Sequence, residues 1–266
     1  PPKTPKTKKS NPAPKKERPP KNVNLVPSPN GFAYINPTAT HYLYASSAFP
    51  QPKEQGYFSQ KLLLTTFAYS PMDNVSLFVG TFSLFPPLLS MFSGQYSISI
   101  TDKIHLGVSG NMILLGMDTS IPFAGGLGSL TVGDTDKHLT ISSGTMYRED
   151  STIIPLMMSG HYRFSDRSSL VTEDWFFLSP DEGVIKTYIV TLAYRIIGNF
   201  GTSNVYSSKG YPRDSWDFGL MFVGNTKSHS FYVDETTTIE SSFTTLDNIG
   251  PLPWVGYSWH FGPKSR

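Results

Sequence analysis

The sequence predicts an all-β protein: a transmembrane antiparallel β-barrel of about twelve strands, preceded by an extended Pro/Lys-rich tail. Three observations lead there. Residues 253–261 (PWVGYSWHF) alternate without interruption, with Val255, Tyr257, Trp259 and Phe261 on one face and Gly256, Ser258 and His260 on the other. That is the period of a strand between lipid and a polar interior. The same alternation recurs roughly every 15 to 20 residues back to Tyr57. Finally, the 38% of residues that are hydrophobic are scattered among Ser, Thr and Gly. No run approaches the ~20 apolar residues of a helical span, and no window shows the period of an amphipathic helix.

The organisation follows from charge. Residues 1–22 carry seven Lys and Arg18 against the single Glu17, a local charge of +7, which leaves 14 basic and 19 acidic residues in the remainder. A Pro- and Lys-rich stretch of this kind builds no core and is expected as an extended, polyproline-like tail. The expected division is a basic periplasmic tail over 1–30, an outer-membrane barrel over 31–262 and a short C-terminal tail over 263–266. Lys3, Lys6, Lys8, Lys9, Lys15, Lys16, Arg18 and Lys21 are the tail's candidate partner-binding residues, suited to an acidic protein, lipid phosphates or cell-wall polymer. The chain contains no cysteine, so a disulfide framework, a thiolate metal site and a lipidated N-terminal Cys are not expected. It opens at Pro1 without a hydrophobic signal segment; since an outer-membrane protein is exported, a mature or trimmed form is expected.

Strands are expected near 39–48, 57–70, 75–85, 94–101, 104–115, 127–133, 138–147, 153–164, 169–178, 185–197, 215–223 and 253–261. The weak first segment is included because both termini on one rim require an even number. Tight Asp/Asn/Ser turns at 71–74, 101–103, 134–137 and 165–168 fall on one rim, the periplasmic one. Longer connections alternate with them, and the longest, 224–252, is expected outside the cell. The connection 198–214 is long where a turn should be short. Outward faces read clearly in several strands: Val75, Leu77 and Val79; Ile104, Leu106, Val108 and Met112; Tyr188, Val190, Leu192, Tyr194 and Ile196; Trp216, Phe218, Leu220 and Phe222. A soluble sandwich would place more Lys and Glu opposite these faces than the Ser, Gly and Thr found here.

Several short motifs carry a resemblance: Asn36-Pro37-Thr38, Gly56-Tyr57, Val75-Ser76-Leu77, Ile104-His105-Leu106-Gly107, the run 158–163 (MSGHYR), Glu173-Asp174-Trp175 and the 253–262 ending. With these, residues 31–262 resemble an uncharacterised family of Bacteroidota (flavobacterial) outer-membrane barrels. The resemblance implies fold and location and no particular chemistry.

Ser159, His161 and Arg163 occupy alternate positions of one strand, hence one face, and Glu173 on the next strand could complete a Ser-His-Glu set. A lipid-modifying enzyme would need that set on the lipid side. Here Leu156, Met158, Tyr162 and Phe164 take that side, so the polar residues read as a lumen network of Ser159, His161, Arg163, Glu173, Arg195 and Asp217, paired to offset desolvation. No enzyme activity and no cofactor or metal are expected. His105, His138 and His260 face inward near a rim and read as separate, hydrogen-bonded histidines. Gly125-Gly126-Leu127-Gly128 lacks the Lys-Ser/Thr of a phosphate loop and reads as a loop-to-strand transition.

A twelve-strand bore lies between side-chain-filled and water-filled barrels, and Phe78, Phe82, Met221, Trp254, Arg163 and Arg195 would narrow it. The leading expectation is a structural or accessory subunit of an outer-membrane assembly, its tail contacting a periplasmic partner. A narrow passive pore and a lipid-modifying enzyme are the alternatives. Expected partners are outer-membrane lipid and lipopolysaccharide and other outer-membrane or periplasmic proteins. Nucleic acid is excluded, because the cations are confined to a tail without interleaved aromatics.

Overall fold

A computed structural model describes residues 25–28, 31–34, 36–62, 64–83, 89–115, 123–148, 151–165, 167–180, 184–198, 214–234 and 237–261. A short hairpin, β1 (Leu25–Ser28) and β2 (Gly31–Tyr34), precedes twelve barrel strands: β3 (Gly56–Lys61), β4 (Leu64–Met72), β5 (Val75–Phe82), β6 (Leu89–Thr101), β7 (Ile104–Leu115), β8 (Phe123–Gly133), β9 (Lys137–Arg148), β10 (Ser151–Ser165), β11 (Ser168–Ser179), β12 (Val184–Ile197), β13 (Asp214–Asp234) and β14 (Thr237–Phe261). These twelve form one closed barrel in which each strand pairs with its sequence neighbours. Closure comes from antiparallel pairing of β14 with β3, Gly256 opposite Lys61 through Phe261 opposite Gly56. Every barrel strand thus has two partners, and the wall contains no edge strand.

The alternation sorts as expected. Leu77, Val79, Leu106, Val108, Leu192, Phe218, Leu220, Val255 and Trp259 are exposed, Val108 at 62%, and form the lipid-facing band. The inward residues are mostly small and polar: Ser59, Ser97, Thr131, Ser142, Ser169, Ser215 and Ser258 are all buried. At Asp73-Asn74, between Met72 and its partner Val75, Asn74 takes φ 69°, a conformation Asn tolerates in tight hairpin turns.

The count of twelve agrees with the sequence expectation through two compensating differences. Residues 39–48 are not a strand of the wall; they lie inside the lumen, with Tyr42, Leu43 and Ala48 almost fully buried, and a single bridge, His41 to Ser46, is their only ladder. The stretch 57–70 is two strands, β3 and β4, broken at Leu62. Leu62 adopts φ 49°, a conformation that costs a non-glycine residue roughly 1–2 kcal/mol, and its N–H is tied to Val255 O at 3.2 Å. The run Leu62-Leu63-Leu64 carries no turn residue, so its pattern reads as a continuing strand.

Residues 224–234 and 237–252 are likewise not a loop but the continuation of β13 and β14. β12 pairs with β13 only as far as Thr187 opposite Asn225, whereas β13 and β14 pair on to Asp234 opposite Thr237. Beyond the neighbouring strands the hairpin needs no lipid-facing stripe, which is why alternation fails to reveal it. Gly125–Gly128 sit within β8 and not at a loop-to-strand transition; a Cβ at Gly125 would lie 1.9 Å from Thr145 O, and one at Gly144 the same distance from Gly126 O. These glycines let β8 and β9 approach closely. Residues 1–24 with the tail's lysines and Arg18, most of the 198–214 connection and residues 262–266 lie outside the described residues; the end of the expected tail, Leu25–Ser28, pairs with Gly31–Tyr34 in a separate hairpin, and the barrel wall begins at Gly56 and not at residue 31.

Gly144→Ala is expected to destabilise the barrel by about 1–3 kcal/mol through overpacking. Gly110→Ala, whose Cβ would meet nothing within 4 Å, is the matched control. Loss of the fast-migrating band of unboiled samples on gels, followed against temperature, reads the difference.

Candidate functional site: a hairpin seated in the lumen

Residues 36–51 form a hairpin inside the barrel. At its base, Asn36 Nδ2 donates to Thr135 O (2.8 Å) and lies 3.3 Å from His161 Nδ1. Asn36 Oδ1 accepts from the N–H and hydroxyl of Thr38, an Asx turn that starts the chain inward. Ser47 N–H bonds Thr40 O (3.0 Å) and Tyr42 N–H bonds Ala45 O (2.9 Å), leaving Leu43-Tyr44 as the tip. The return arm is held by Ala48 N–H to Thr131 Oγ1 (2.8 Å) and by Gln95 Nε2 to Ser47 O (2.7 Å). It leaves the lumen against the β4–β5 turn, where Asn74 N–H donates to Gln51 O and Lys53 N–H to Asp73 Oδ1. The hairpin therefore enters and leaves at the rim of the 134–136 and 73–74 turns.

Charged wall residues grip the tip from both sides. Glu173 Oε2 accepts the consecutive N–H groups of Leu43 (2.8 Å), Tyr44 (2.9 Å) and Ala45 (3.0 Å), and its Oε1 accepts the Trp175 indole N–H at 2.6 Å. On the carbonyl side, Arg195 Nη2 donates to Tyr42 O (2.6 Å), and Lys61 Nζ donates to Tyr42 O (2.9 Å) and Leu43 O (2.7 Å). Asp217 takes a bidentate pair from Arg195 (2.6 and 3.1 Å) and lies 3.4 Å from Lys61 Nζ. All four charged groups are 0–1% exposed. Two cations and two anions balance, the condition under which buried charge is tolerated. Beside them Leu43 packs with Val171, Ala193 and Trp254.

The residues expected as one lumen network are all buried but work at separate places. Arg195 and Asp217 are cross-strand partners in the tip clamp. Arg163 Nη1 bonds Asp136 Oδ1 at 3.0 Å, in the β8–β9 turn. His161 meets Asn36. Ser159 stands opposite Glu173, whereas Arg163 stands opposite Ser169, four positions away along the strand, so the expected grouping of Arg163, Glu173 and His161 does not form. Glu173 serves the hairpin and Trp175 instead of completing a Ser-His-Glu set. Lys61 escaped the sequence reading because the expected strand 57–70 was continuous: the parity that turns Thr66, Ala68 and Ser70 inward would turn Lys61 outward, and only the break at Leu62 lets both sets face the lumen.

The histidines expected to stand apart are assembled around the hairpin. His41 stacks on Tyr57 (4.0 Å between centroids) and lies 5.2 Å from His260. Phe49 sits between His105 (4.3 Å) and His138 (4.9 Å), and His138 lies 5.0 Å from His161. Five of the six histidines of the chain are thus gathered here. One signal was available: His138 and His161 are equidistant from the 149–150 connection, and hairpin register makes them partners. Among the described residues no group of His, Asp or Glu is placed to hold a metal ion. Neither ring nitrogen of His41 has a hydrogen-bond partner among the described residues.

No family model and no curated protein matches the chain. Among solved structures it is similar to the KdgM porin (TM-score 0.44, 8% identity, 78% of this chain and 98% of that one), also solved in complex with disordered oligogalacturonate. It is also similar to the outer-membrane expressed OmpT of Vibrio cholerae (TM-score 0.38, 11% identity, 74% of this chain and 64% of that one).

Asp217→Asn leaves Lys61 and Arg195 buried without their counter-charge, at an expected cost of about 3–5 kcal/mol, seen as a lower guanidinium midpoint in lipid. Acid should loosen the hairpin. Burial, then Lys61 and Arg195, with smaller contributions from His260 and His161, hold His41 well below its usual 6.5. A withdrawn His41 binds its proton near pH 6.5 and a seated one only far lower, so seating is complete above 6.5 and weakens as pH falls below it. Protease cleavage within 36–51 should rise between pH 7.5 and 5, and His41→Gln should flatten that rise.

Proposed function

We propose that the protein is a porin-like barrel of the bacterial outer membrane that passes small solutes when the 36–51 hairpin leaves the lumen. The observation that carries this reading is the chemistry of the wall behind the hairpin. It is lined by Ser, Thr and His and by Lys61, Glu173, Arg195 and Asp217, all buried, and Lys61, Glu173 and Arg195 direct hydrogen bonds to the hairpin's backbone. A barrel meant to stay solid would fill its bore with large wall side chains. A polar wall is satisfied twice, by the hairpin's backbone when closed and by water when open, which is what a two-state element requires.

The hairpin closes the bore at the rim of tight turns. In barrels of this class that rim faces the periplasm, which would put the N-terminal tail there too. The accessory-subunit reading rests on that tail, outside the described residues, and gains no support from the lumen. The enzyme reading needs Ser159 and His161 at the lipid, and both face inward.

A disulfide lock tests the pore. A Cβ built at Gly107 lies 3.4 Å from Ala48 Cβ, close to the roughly 3.5–4.5 Å of a disulfide, and the chain has no cysteine to interfere. In planar bilayers the oxidised Ala48→Cys/Gly107→Cys double variant should show no conductance steps. Reductant should restore the steps of the unaltered protein, and Glu173→Gln should raise the open fraction. Silence of the native, reduced and Glu173→Gln proteins alike would remove the pore.

A further inference from the structure

The hairpin reaches only to mid-barrel, and beyond its tip the lumen holds a cavity of about 100 Å³ with Tyr44, Ala45 and Ser46 as its floor. Its character differs from that of the charged half below. One wall is apolar and soft: Met146, Met157, Trp175 and Phe177 from β9–β11, with Phe78 and Met91 facing them. Trp175 and Phe177 project from alternate positions of β11 with their rings 5.9 Å apart and stacked, 30° between planes. Among the described residues no charged side chain lines the cavity.

The polar groups of the opposite wall are largely engaged. Gln95 Nε2 bonds Ser47 O and Ser97 Oγ, and Asn111 Nδ2 bonds Ser109 Oγ. An occupant would find broad aromatic and thioether surface and only a hydroxyl or two to meet. Thioethers contact aromatic rings favourably; an apolar cavity of roughly 150 Å³ encloses one benzene ring, so this one, at about 100 Å³ and open on one side, holds part of a ring system and leaves the remainder in the wider lumen. A charged solute would lose its hydration without a partner, and a sugar would exchange many water hydrogen bonds for few.

We propose that this cavity is a binding site for a small, uncharged aromatic molecule, one or two fused rings bearing a single hydrogen-bonding substituent. This deepens the pore reading by naming a ligand class that holds the hairpin seated, although binding itself does not require the pore to open. The site is also coupled to the gate. Trp175 donates its indole N–H to the carboxylate that grips the hairpin tip, and Tyr44 and Ala45 are both floor and tip. An aromatic solute lying on Trp175 touches the hairpin only in its seated position, so occupancy favours the closed state by linkage.

Isothermal titration of the detergent-solubilised full chain, with a matched micelle blank, tests the proposal using indole, phenol, cyclohexanol and glucose as probes. The expected result is saturable one-to-one binding of indole and phenol, at least tenfold tighter than cyclohexanol or glucose. Met157→Gln, close in size but polar, should weaken indole binding at least fivefold, and Met146→Trp, which fills the space, should abolish it. Both variants are first shown folded by their fast migration on unboiled gels. The oxidised Ala48→Cys/Gly107→Cys lock should bind indole as tightly as the reduced form or tighter.

No saturable aromatic binding, equal binding of glucose, unchanged indole binding in the two folded cavity variants, or weaker binding in the lock would each overturn the site. Because the locked barrel binds without conducting, failure of the pore reading would show as silent bilayers with indole binding intact.

Discussion

A peptide hairpin inside a closed barrel has backbone N–H and C=O groups that no strand can pair, and here the tip is satisfied by four wall charges. Glu173 collects three N–H groups, Arg195 and Lys61 cover the carbonyls, and Asp217 neutralises that side. Each buried backbone group must find a partner, and a charged partner gives the stronger bond. The grip depends on all four together: the cations that hold the carbonyls are tolerated at 0–1% exposure only beside Asp217, and Glu173 is tolerated because it accepts four donors.

The small inward residues of the wall follow from the same constraint. Twelve strands enclose more space than their own side chains fill, and Ser59, Ser97, Thr131, Thr140, Ser169, Ser215 and Ser258 leave room for two extra strand-like arms. Where the arms pass, hydroxyls take over the function of a pairing strand, as Thr131 does for Ala48 and Thr140 for the Tyr42 hydroxyl. Leu43, in the niche of Val171, Ala193 and Trp254, adds apolar burial at the same point.

The lumen has two chemistries stacked along its axis. The half below the tip is charged and imidazole-rich, and its groups are matched to the hairpin. In the half above, the cavity is lined among the described residues by aromatic, thioether and small uncharged polar side chains. Glu173 and Trp175, two residues apart on β11, join them through one hydrogen bond of 2.6 Å. The two halves therefore share the Glu173 carboxylate and the hairpin tip, whose Tyr44 and Ala45 line the upper cavity.

The barrel was legible in the sequence because alternation is local: Ile104–Met112 or Val255–Phe261 reveal their faces without reference to any other strand, and the Asp73-Asn74 turn announces itself by composition. Segments whose environment is not split between lipid and lumen were not legible. Residues 39–48 are buried on all sides, 226–234 and 237–246 extend past the neighbouring strands, and Leu62 turns without a turn residue. The inward positions of Arg195 and Asp217 were readable one at a time from parity, whereas that of Glu173 was not, because residues 169–178 do not alternate cleanly. That Glu173 meets a hairpin 130 residues earlier in the chain, that Lys61 joins Asp217, and that five histidines ring the same hairpin depend on closure and register, which bring together residues no local pattern connects. The sequence by itself determined an alternating, edge-free sheet; only the tertiary structure decided what occupies its centre, because filling a lumen is a matter of volume and unpaired backbone, not of period.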